Sequence, residues 1–416
     1  MNDNPRPSRS GYGLAIPRVE FIALTAALMA INALAIDIML PAMQQIGAAL
    51  GVDDENQRQF VITAYVVGFG VAQLVFGPIS DRFGRRGPLL IGLGIYVAAA
   101  ILAAFAPSFW MLLMMRALQG VGAAATRVIA VSLVRDTFGG RQMAEVMSLV
   151  MMIFMIVPVI APGAGQIILL VAEWQVIFLF MGVVAAAITL WIYLRMPETL
   201  KQENRRAFDP GTIIEGFRIV LSNRIAFCYA LATALIFGGL FGFINSAQQI
   251  FIDIYDLGVW FPALFALLAG MMAISSFMNS RLVGRFGMRG LSHFALLGFL
   301  AATTVWLVWA LIAPMPLLPF VALFAAAMFM FGWIGPNFNA LAMEPLGHVA
   351  GTASAVLGFL QTLGGGLIGA VIGLSFDGTV VPLVIGYFVA GVGALGLVLI
   401  GEDGRLFQAR NLPPED

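Results

Sequence analysis

Charge is scarce in this 416-residue sequence. Asp, Glu, Lys and Arg make up 11% of it, against about 25% in soluble domains. Cysteine and histidine are nearly missing, with only Cys228, His293 and His348. A single cysteine excludes a disulfide framework within the chain, and three such residues so far apart leave no Cys/His metal site. The sequence offers no metal cluster, haem ligands or nucleophile–base set of the kind an enzyme working inside a membrane needs, so no catalytic residue and no metal ligand is assigned. The 22 basic and 22 acidic residues cancel to a formal net charge of +0. Beyond arginines in short loops there is no basic patch for nucleic acid.

Hydrophobicity is what abounds: 61% of residues are apolar and the mean hydropathy is +0.95. The chain reads as an integral membrane protein. A membrane-crossing helix needs about 20 mostly apolar residues. Twelve segments qualify: 19–40, 59–77, 88–106, 109–134, 144–169, 174–195, 225–250, 260–280, 291–312, 316–338, 351–375 and 380–400. The alternation expected of a membrane barrel is absent. The polar, basic stretch before Phe21 resembles the start of a signal peptide. The apolar run after it reaches Leu40, about twice a signal core, with no convincing cleavage site, so it is read as an uncleaved first span.

Arginine placement orients the spans. With a cytoplasmic N-terminus, the inner loops hold Arg82, Arg85, Arg86, Arg135, Arg141, Arg195, Lys201, Arg205, Arg206, Arg218, Arg224, Arg281, Arg285 and Arg289. The tails add Arg6, Arg9, Arg18, Arg405 and Arg410, while the outer loops keep only Arg58. This is a positive-inside pattern, and it predicts both termini on the cytoplasmic side. The expected organisation is a tail (1–18), a six-helix bundle (19–195), a cytoplasmic linker (196–224), a second six-helix bundle (225–400) and a tail (401–416). Within the linker, Ile213, Ile214, Phe217 and Val220 share one face of a short interfacial helix over 211–222; a plain solvated linker is the alternative.

The halves echo each other. Asp81-Arg82-Phe83-Gly84-Arg85-Arg86-Gly87 recurs as Gly284-Arg285-Phe286-Gly287-Met288-Arg289-Gly290, five matches in seven at an offset of 203. Gln44-Gln45-Ile46 recurs as Gln248-Gln249-Ile250 at an offset of 204. Parallel repeats of this kind suit a transporter whose site lies between the halves.

Three charges fall inside spans. Asp37 stands alone in Ala35-Ile36-Asp37-Ile38-Met39-Leu40-Pro41. An intramembrane carboxylate costs roughly 2.5–3.5 kcal/mol on insertion scales and marks a functional site by default; here it suggests a proton site. Arg116 and Arg127 both lie in span 4. Eleven residues is close to three helical turns, so they share a face about 16 Å apart. Arg116 should lie at a depth similar to Asp37, where a guanidinium would favour the ionised carboxylate; a structural ion pair is the alternative. Arg127 either attracts an anionic part of a substrate or bonds carbonyls in its own bundle.

Gly77-Pro78-Ile79-Ser80-Asp81-Arg82-Phe83-Gly84-Arg85-Arg86 resembles motif A of the major facilitator superfamily. Arg116-Ala117-Leu118-Gln119-Gly120 resembles motif B of its drug:proton antiporters. Pro158-Val159-Ile160-Ala161-Pro162-Gly163-Ala164-Gly165 resembles a degenerate antiporter motif C. The strings Asp37 to Pro41, Gln73 to Pro78, Pro197-Glu198-Thr199-Leu200 and Ala350 to Ala355 resemble the bicyclomycin/chloramphenicol-resistance (Bcr/CflA) branch. The resemblance implies an all-α membrane protein of twelve helices in two six-helix pseudo-repeats. It also implies a monomeric, proton-coupled exporter of small amphiphilic compounds in the bacterial inner membrane, driven by the proton gradient without a cofactor.

On that resemblance, Asp37 and Arg116 carry proton coupling. Gly77, Asp81, Arg82, Gly84, Arg85 and Arg86 form a cytoplasmic gate that latches the halves together. Pro158, Pro162, Gly163 and Gly165 seal the outer side. Asn32, Asp37, Tyr65, Gln119, Arg127, Asn245, Gln248, Trp333, Asn337, Asn339 and Gln361 are polar or amphipathic candidates for a substrate cavity. Each can equally bind helix to helix. Gly365, Gly369 and Gly373, four residues apart in span 11, are expected to pack against span 2 or 5. A proton symporter on the same fold and a non-transporting membrane sensor remain as rival readings.

Overall fold

A computed structural model describes residues 16–138, 140–200, 202–205 and 210–408. Arg6, Arg9, Lys201, Arg206 and Arg410 lie outside the described residues, as do the side chains of Arg141, Ile213 and His348. The described chain is helical throughout, as apolar segments in hydrocarbon must be, because no water is present to satisfy open backbone groups. Six long helices come first: α1 (Arg18–Asp37), α2 (Phe60–Phe83), α3 (Arg86–Ala104), α4 (Phe109–Thr137), α5 (Gly140–Val171) and α6 (Gln175–Arg195), with the short helices Met43–Ala49 and Glu55–Arg58 between the first two. The linker contains α7 (Pro210–Ser222). Then come α8 (Arg224–Gln248), α9 (Phe261–Ile312), α10 (Leu317–Met343), α11 (Ala350–Phe359), α12 (Gly365–Leu374) and α13 (Val381–Gly401). Helices α1 to α6, α8, α10 and α13 each lie on one span read from the sequence, with ends within about six residues of it.

Among the described residues, ten helices are long and apolar enough to cross a membrane by length and composition. One of them, Gly258–Ile312, is 55 residues long and contains a break: Gly287 has φ 73° and ψ 161°. That break divides α9 into two arms where spans 8 and 9 were expected. The 32-residue α5 occupies the expected fifth span, and its residues Ile156–Val171 form a shorter apolar helix. Span 11 is α11 and α12 joined by a π-helical turn, Leu360–Gly364.

Local chemistry sets the ends. Ser108 Oγ accepts the Met111 amide at 3.3 Å and opens α4, and Asn223 Oδ1 accepts the Ala226 amide at 3.0 Å and opens α8; both are ordinary N-caps. Gly84 ends α2 with φ 96° and ψ 169°. Gly287 stands 203 positions later in nearly the same backbone conformation, so the repeated loops share geometry as well as letters. Only glycine visits that region without strain.

Helices α1 to α6 pack on one another, chiefly α2 on α4, α3 on α4 and α6, and α1 on α5. Helices α8 to α13 pack likewise, chiefly α9 on α10 and α8 on α12 and α13. The two groups meet along two seams, α2 against α11 and α12, and α5 against α9. The α7 helix docks on α11 and α8, with Val220 buried and Phe217 edge-on to Phe359 at 5.5 Å. Ile214, on the expected apolar face, is 71% exposed. The span-11 glycines also differ from expectation. A Cβ on Gly365 or Gly369 would meet Phe237 or Phe241 of α8, and only at Gly373 does α2 approach, through Gln59 just before its first residue. Glycine there lets α12 lie directly on α8.

The two loop glycines give a paired test. A Cβ on Gly84 would lie 2.4 Å from Glu198 Oε2, whereas one on Gly287 would meet nothing within 4 Å. Gly287→Ala is expected to cost about 1–3 kcal/mol from backbone strain alone, and Gly84→Ala more, because the glutamate must also move. Thermal unfolding of the purified variants in detergent checks the order.

Candidate functional site

Helix α4 carries the centre of the first half. Arg116 is fully buried and touches three helices or their ends. Its Nε donates to the Val61 carbonyl at 3.2 Å, its Nη2 to the Ala35 carbonyl at 3.0 Å, and its Nη1 to Gln119 Oε1 at 2.5 Å. The guanidinium also faces the Tyr65 ring, 4.6 Å from the ring centre. Tyr65 in turn donates to Asn32 Oδ1 at 3.2 Å, and Asn32 Nδ2 donates to Thr126 Oγ1 at 3.0 Å. Arg116, Tyr65, Gln119 and Asn32 thus form one connected network tying α1, α2 and α4 together. Tyr65 and Gln119 are sealed inside that half, not presented to the seam between halves.

Asp37 closes α1 and is 4% exposed. Among the described residues its carboxylate has no ion-pair or hydrogen-bond partner. Arg116 reaches Ala35, two residues before it, and not Asp37 itself. The ion pair weighed from the sequence is therefore not formed here. Helix α5 presses on the same turn: a Cβ on Gly165 would fall 1.9 Å from the Ile38 carbonyl oxygen. Pro158 and Pro162 lie inside this helix about two turns and one turn earlier, and at Gly163 a Cβ would meet nothing within 4 Å. Of these motif residues, Gly165 is the one that sets the distance between α5 and Asp37.

Arg127 points into the seam. Its Nη1 lies 3.5 Å from Thr362 Oγ1 in the π turn of the other half, and its guanidinium stands 5.9 Å from the centre of the Phe69 ring. In the second half, Trp333 Nε1 donates to the Ser275 carbonyl at 2.9 Å. Asn337 Nδ2 donates to Asn279 Oδ1 at 2.7 Å, and Asn339 Nδ2 to Gln361 Oε1 at 3.5 Å. These groups join α9, α10 and the π turn. Asn245 and Gln248 are buried near the far end of α8, with Asn245 Oδ1 and Gln248 Nε2 unbonded.

Hydrogen bonds between the halves gather, among the described residues, at the end poor in arginine. Gln59 Nε2 donates to Gln249 Oε1 at 2.6 Å and to the Gly373 carbonyl at 3.0 Å. Asn56 Nδ2 donates to the Phe376 carbonyl at 3.0 Å, and Gln44 Nε2 to Asp253 Oδ1 at 2.7 Å. The echoed residues Gln44 and Gln249 thus sit at the closed end.

The arginine-rich end holds two ion clusters. Arg85, buried, pairs with Asp136 at 2.7 Å and with Asp81 at 2.5 Å, and also donates to Ser80. Burial opposes its charge, but the carboxylates of Asp136 and Asp81 outweigh that and hold its pKa above the ordinary arginine value. Glu198 accepts the backbone amides of Arg85, Arg86 and Leu200 at 2.8, 3.2 and 3.0 Å. Arg86 donates to the Tyr193 carbonyl, and Arg82 lies beside Phe83. Gly77 packs near Val128. In the second half Arg289 pairs with Glu344 at 2.8 Å and Glu402 at 2.7 Å. Tyr229 donates to the same Glu402 oxygen. The sequence reading missed Asp136, Glu344 and Glu402. Glu402 stands 204 positions after Glu198, the offset of the second echo, and that spacing was the available signal.

Residues 25–370 match the family model described as Major Facilitator Superfamily. The chain belongs to the major facilitator superfamily. It is 33% identical to an MFS-type transporter, YdgK, of Bacillus subtilis (strain 168), over 90% of this chain and 93% of that one. It is 28% identical to a bicyclomycin resistance protein homolog of Haemophilus influenzae, over 87% and 91%. With multidrug resistance protein D of Escherichia coli (strain K12) it shares 29% identity, over 84% and 87%. Its fold resembles the partially occluded, inward-open xylose transporter XylE of Escherichia coli, with TM-score 0.72 and 12% identity over 97% of this chain and 100% of that one. The protein is a multi-pass membrane transporter of the Bcr/CflA type and not an enzyme.

Two substitutions probe this site. Gly165→Val is expected to push the end of α1 away from α5 and abolish transport while leaving membrane insertion intact, read from flux in vesicles of equal protein content. Arg116→Ala takes the donor from the Ala35 carbonyl and from Gln119 Oε1 in a sealed interior, at about 1–3 kcal/mol for each group left unpaired; a fall in unfolding temperature checks it.

Proposed function

We propose that this transporter exports small amphiphilic compounds in exchange for protons. The single observation that carries the coupling is Asp37: a buried carboxylate without a partner, on the turn that Arg116 and Gly165 both fix. A lone carboxylate in a low-dielectric setting changes its proton with small changes in its surroundings. Protonation from the outside would favour return to the inward-facing state, and substrate bound from the inside would favour proton release. The resistance proteins among its relatives support drug-like cargo.

The rest of the reading follows from placement. If the arginine-rich end is cytoplasmic, the closed end faces outward and the structure is inward-facing. The bundles 19–195 and 225–400 rock about their seams, the linker 196–224 joins them, and both tails are cytoplasmic. Asn245, Gln248 and Arg127 border the path; Asn32, Tyr65 and Gln119 support it. Asp81 is engaged by Arg85 within its own half in this state, and it latches the inner end when the outer end opens. The protein works as a monomer in a bacterial inner membrane, with the proton gradient in the place of a cofactor.

Inverted vesicles acidified by respiration and loaded with a pH-sensitive dye test the coupling. Drug addition is expected to release protons from wild-type vesicles and not from Asp37→Asn vesicles; retained proton-coupled efflux in the variant refutes the role. Asp81→Asn is expected to raise the inward-facing share, seen as faster labelling of cysteines introduced at the inner mouth.

A further inference from the structure

We infer that the cargo carries an acidic group and that Arg127 and Gln73 form the subsite that receives it. This deepens the exporter reading and rests on it.

Arg127, half-buried, differs from the buried arginines. Arg85 and Arg289 each have two carboxylate partners, and Arg116 has three acceptors. Arg127 has five N–H donors and, among the described residues, a single hydrogen bond, to Thr362 at 3.5 Å, the outer limit of such a bond. Among the described residues no carboxylate lies within ion-pair distance of it. Arg127 is half-buried, and within its own bundle the described residues offer its partly desolvated charge only the face of the Phe69 ring at 5.9 Å, a weak offset. The carbonyl-bonding alternative is not what the structure displays.

Gln73 supplies the second donor. It is 3% exposed, and its Nε2 is sealed from solvent without an acceptor. Gln73 lies one turn beyond Phe69 on α2, the ring that Arg127 stands beside. Its side chain faces Gly358, one turn before Thr362 in span 11. Gln73 and Arg127 therefore stand about one turn apart along the same stretch of the α2–span 11 seam. A charged fork and an amide N–H without acceptors call for the oxygens of an anion, and a guanidinium matches a carboxylate or phosphonate with two parallel bonds. The subsite also spans the halves, since Thr362 belongs to a π turn of the second, and π turns are frequent at functional sites. An anion held there would touch both moving bodies.

The test is equilibrium binding of 2-naphthoxyacetate and its uncharged match, 2-naphthoxyacetamide, to purified full-length protein. Wild type is expected to bind the carboxylate about tenfold or more tighter, the scale of one good charge-assisted contact. Arg127→Gln should bring the carboxylate down to the level of the amide and leave the amide unchanged. Arg127→Lys should keep part of the preference, and Gln73→Leu should lose a smaller part. Equal binding of the two probes by wild type, binding of neither, or a parallel loss of both in Arg127→Gln and Arg127→Lys overturns the inference. Efflux of neutral compounds only would overturn it and leave the exporter standing. A carboxylate preference that depends on Arg127, without any coupled flux, would remove the exporter and leave the anion site.

Discussion

A guanidinium withdrawn from water must find acceptors, and this protein is arranged around that requirement. Arg116 takes carbonyls from the ends of two neighbouring helices and an amide oxygen from its own, so three segments converge on one side chain. Arg85 and Arg289 do the same for the loops at the arginine-rich end, each with two carboxylates from separate elements. Removing one member of such a cluster leaves a buried charge uncompensated, which is why buried pairs are far more sensitive to deletion than their net contribution suggests. Each half is thereby a stiff body, and the freedom left to the molecule lies in the seams between them.

Asp37 and Arg127 stand outside that arrangement. Both are ionisable, Asp37 buried and Arg127 half-buried, and neither has the partners that the structural charges have. Asp37 is placed by contacts to its neighbours along the chain: Arg116 at Ala35 and Gly165 at Ile38 hold the turn while the carboxylate stays unbound. Arg127 reaches across to the other half by one long contact. Positions that break the local rule of compensation without an internal remedy are where exchange with something mobile is expected.

Much of this was readable from the sequence. The hydropathy runs set the helices, and the repeat at offset 203 predicted a loop whose second glycine has the backbone angles of the first. Asp37, Arg116 and Arg127 were evident as charges inside apolar runs. The ion clusters were harder. Arg289 answers to Arg86 by offset, yet it plays the part of Arg85, because Met288 occupies the matching position and Glu344 and Glu402 lie nearer to the next residue. Side-chain direction decides this, and it is not written in spacing. The absence of an Asp37–Arg116 bond was equally illegible. Similar depth in two helices does not fix which way a five-donor fork turns, and the carbonyls of Val61 and Ala35 won.

The closed end is fastened differently from the open one. Apart from Gln44 with Asp253, its cross-links are amide to amide or amide to carbonyl: Gln59 with Gln249 and Gly373, Asn56 with Phe376. Such groups carry no formal charge. Salt does not screen them, acid does not titrate them, and the electric field across the bilayer does little work on their separation. A door held this way stays indifferent to the ionic weather on its own side and takes its orders from the interior.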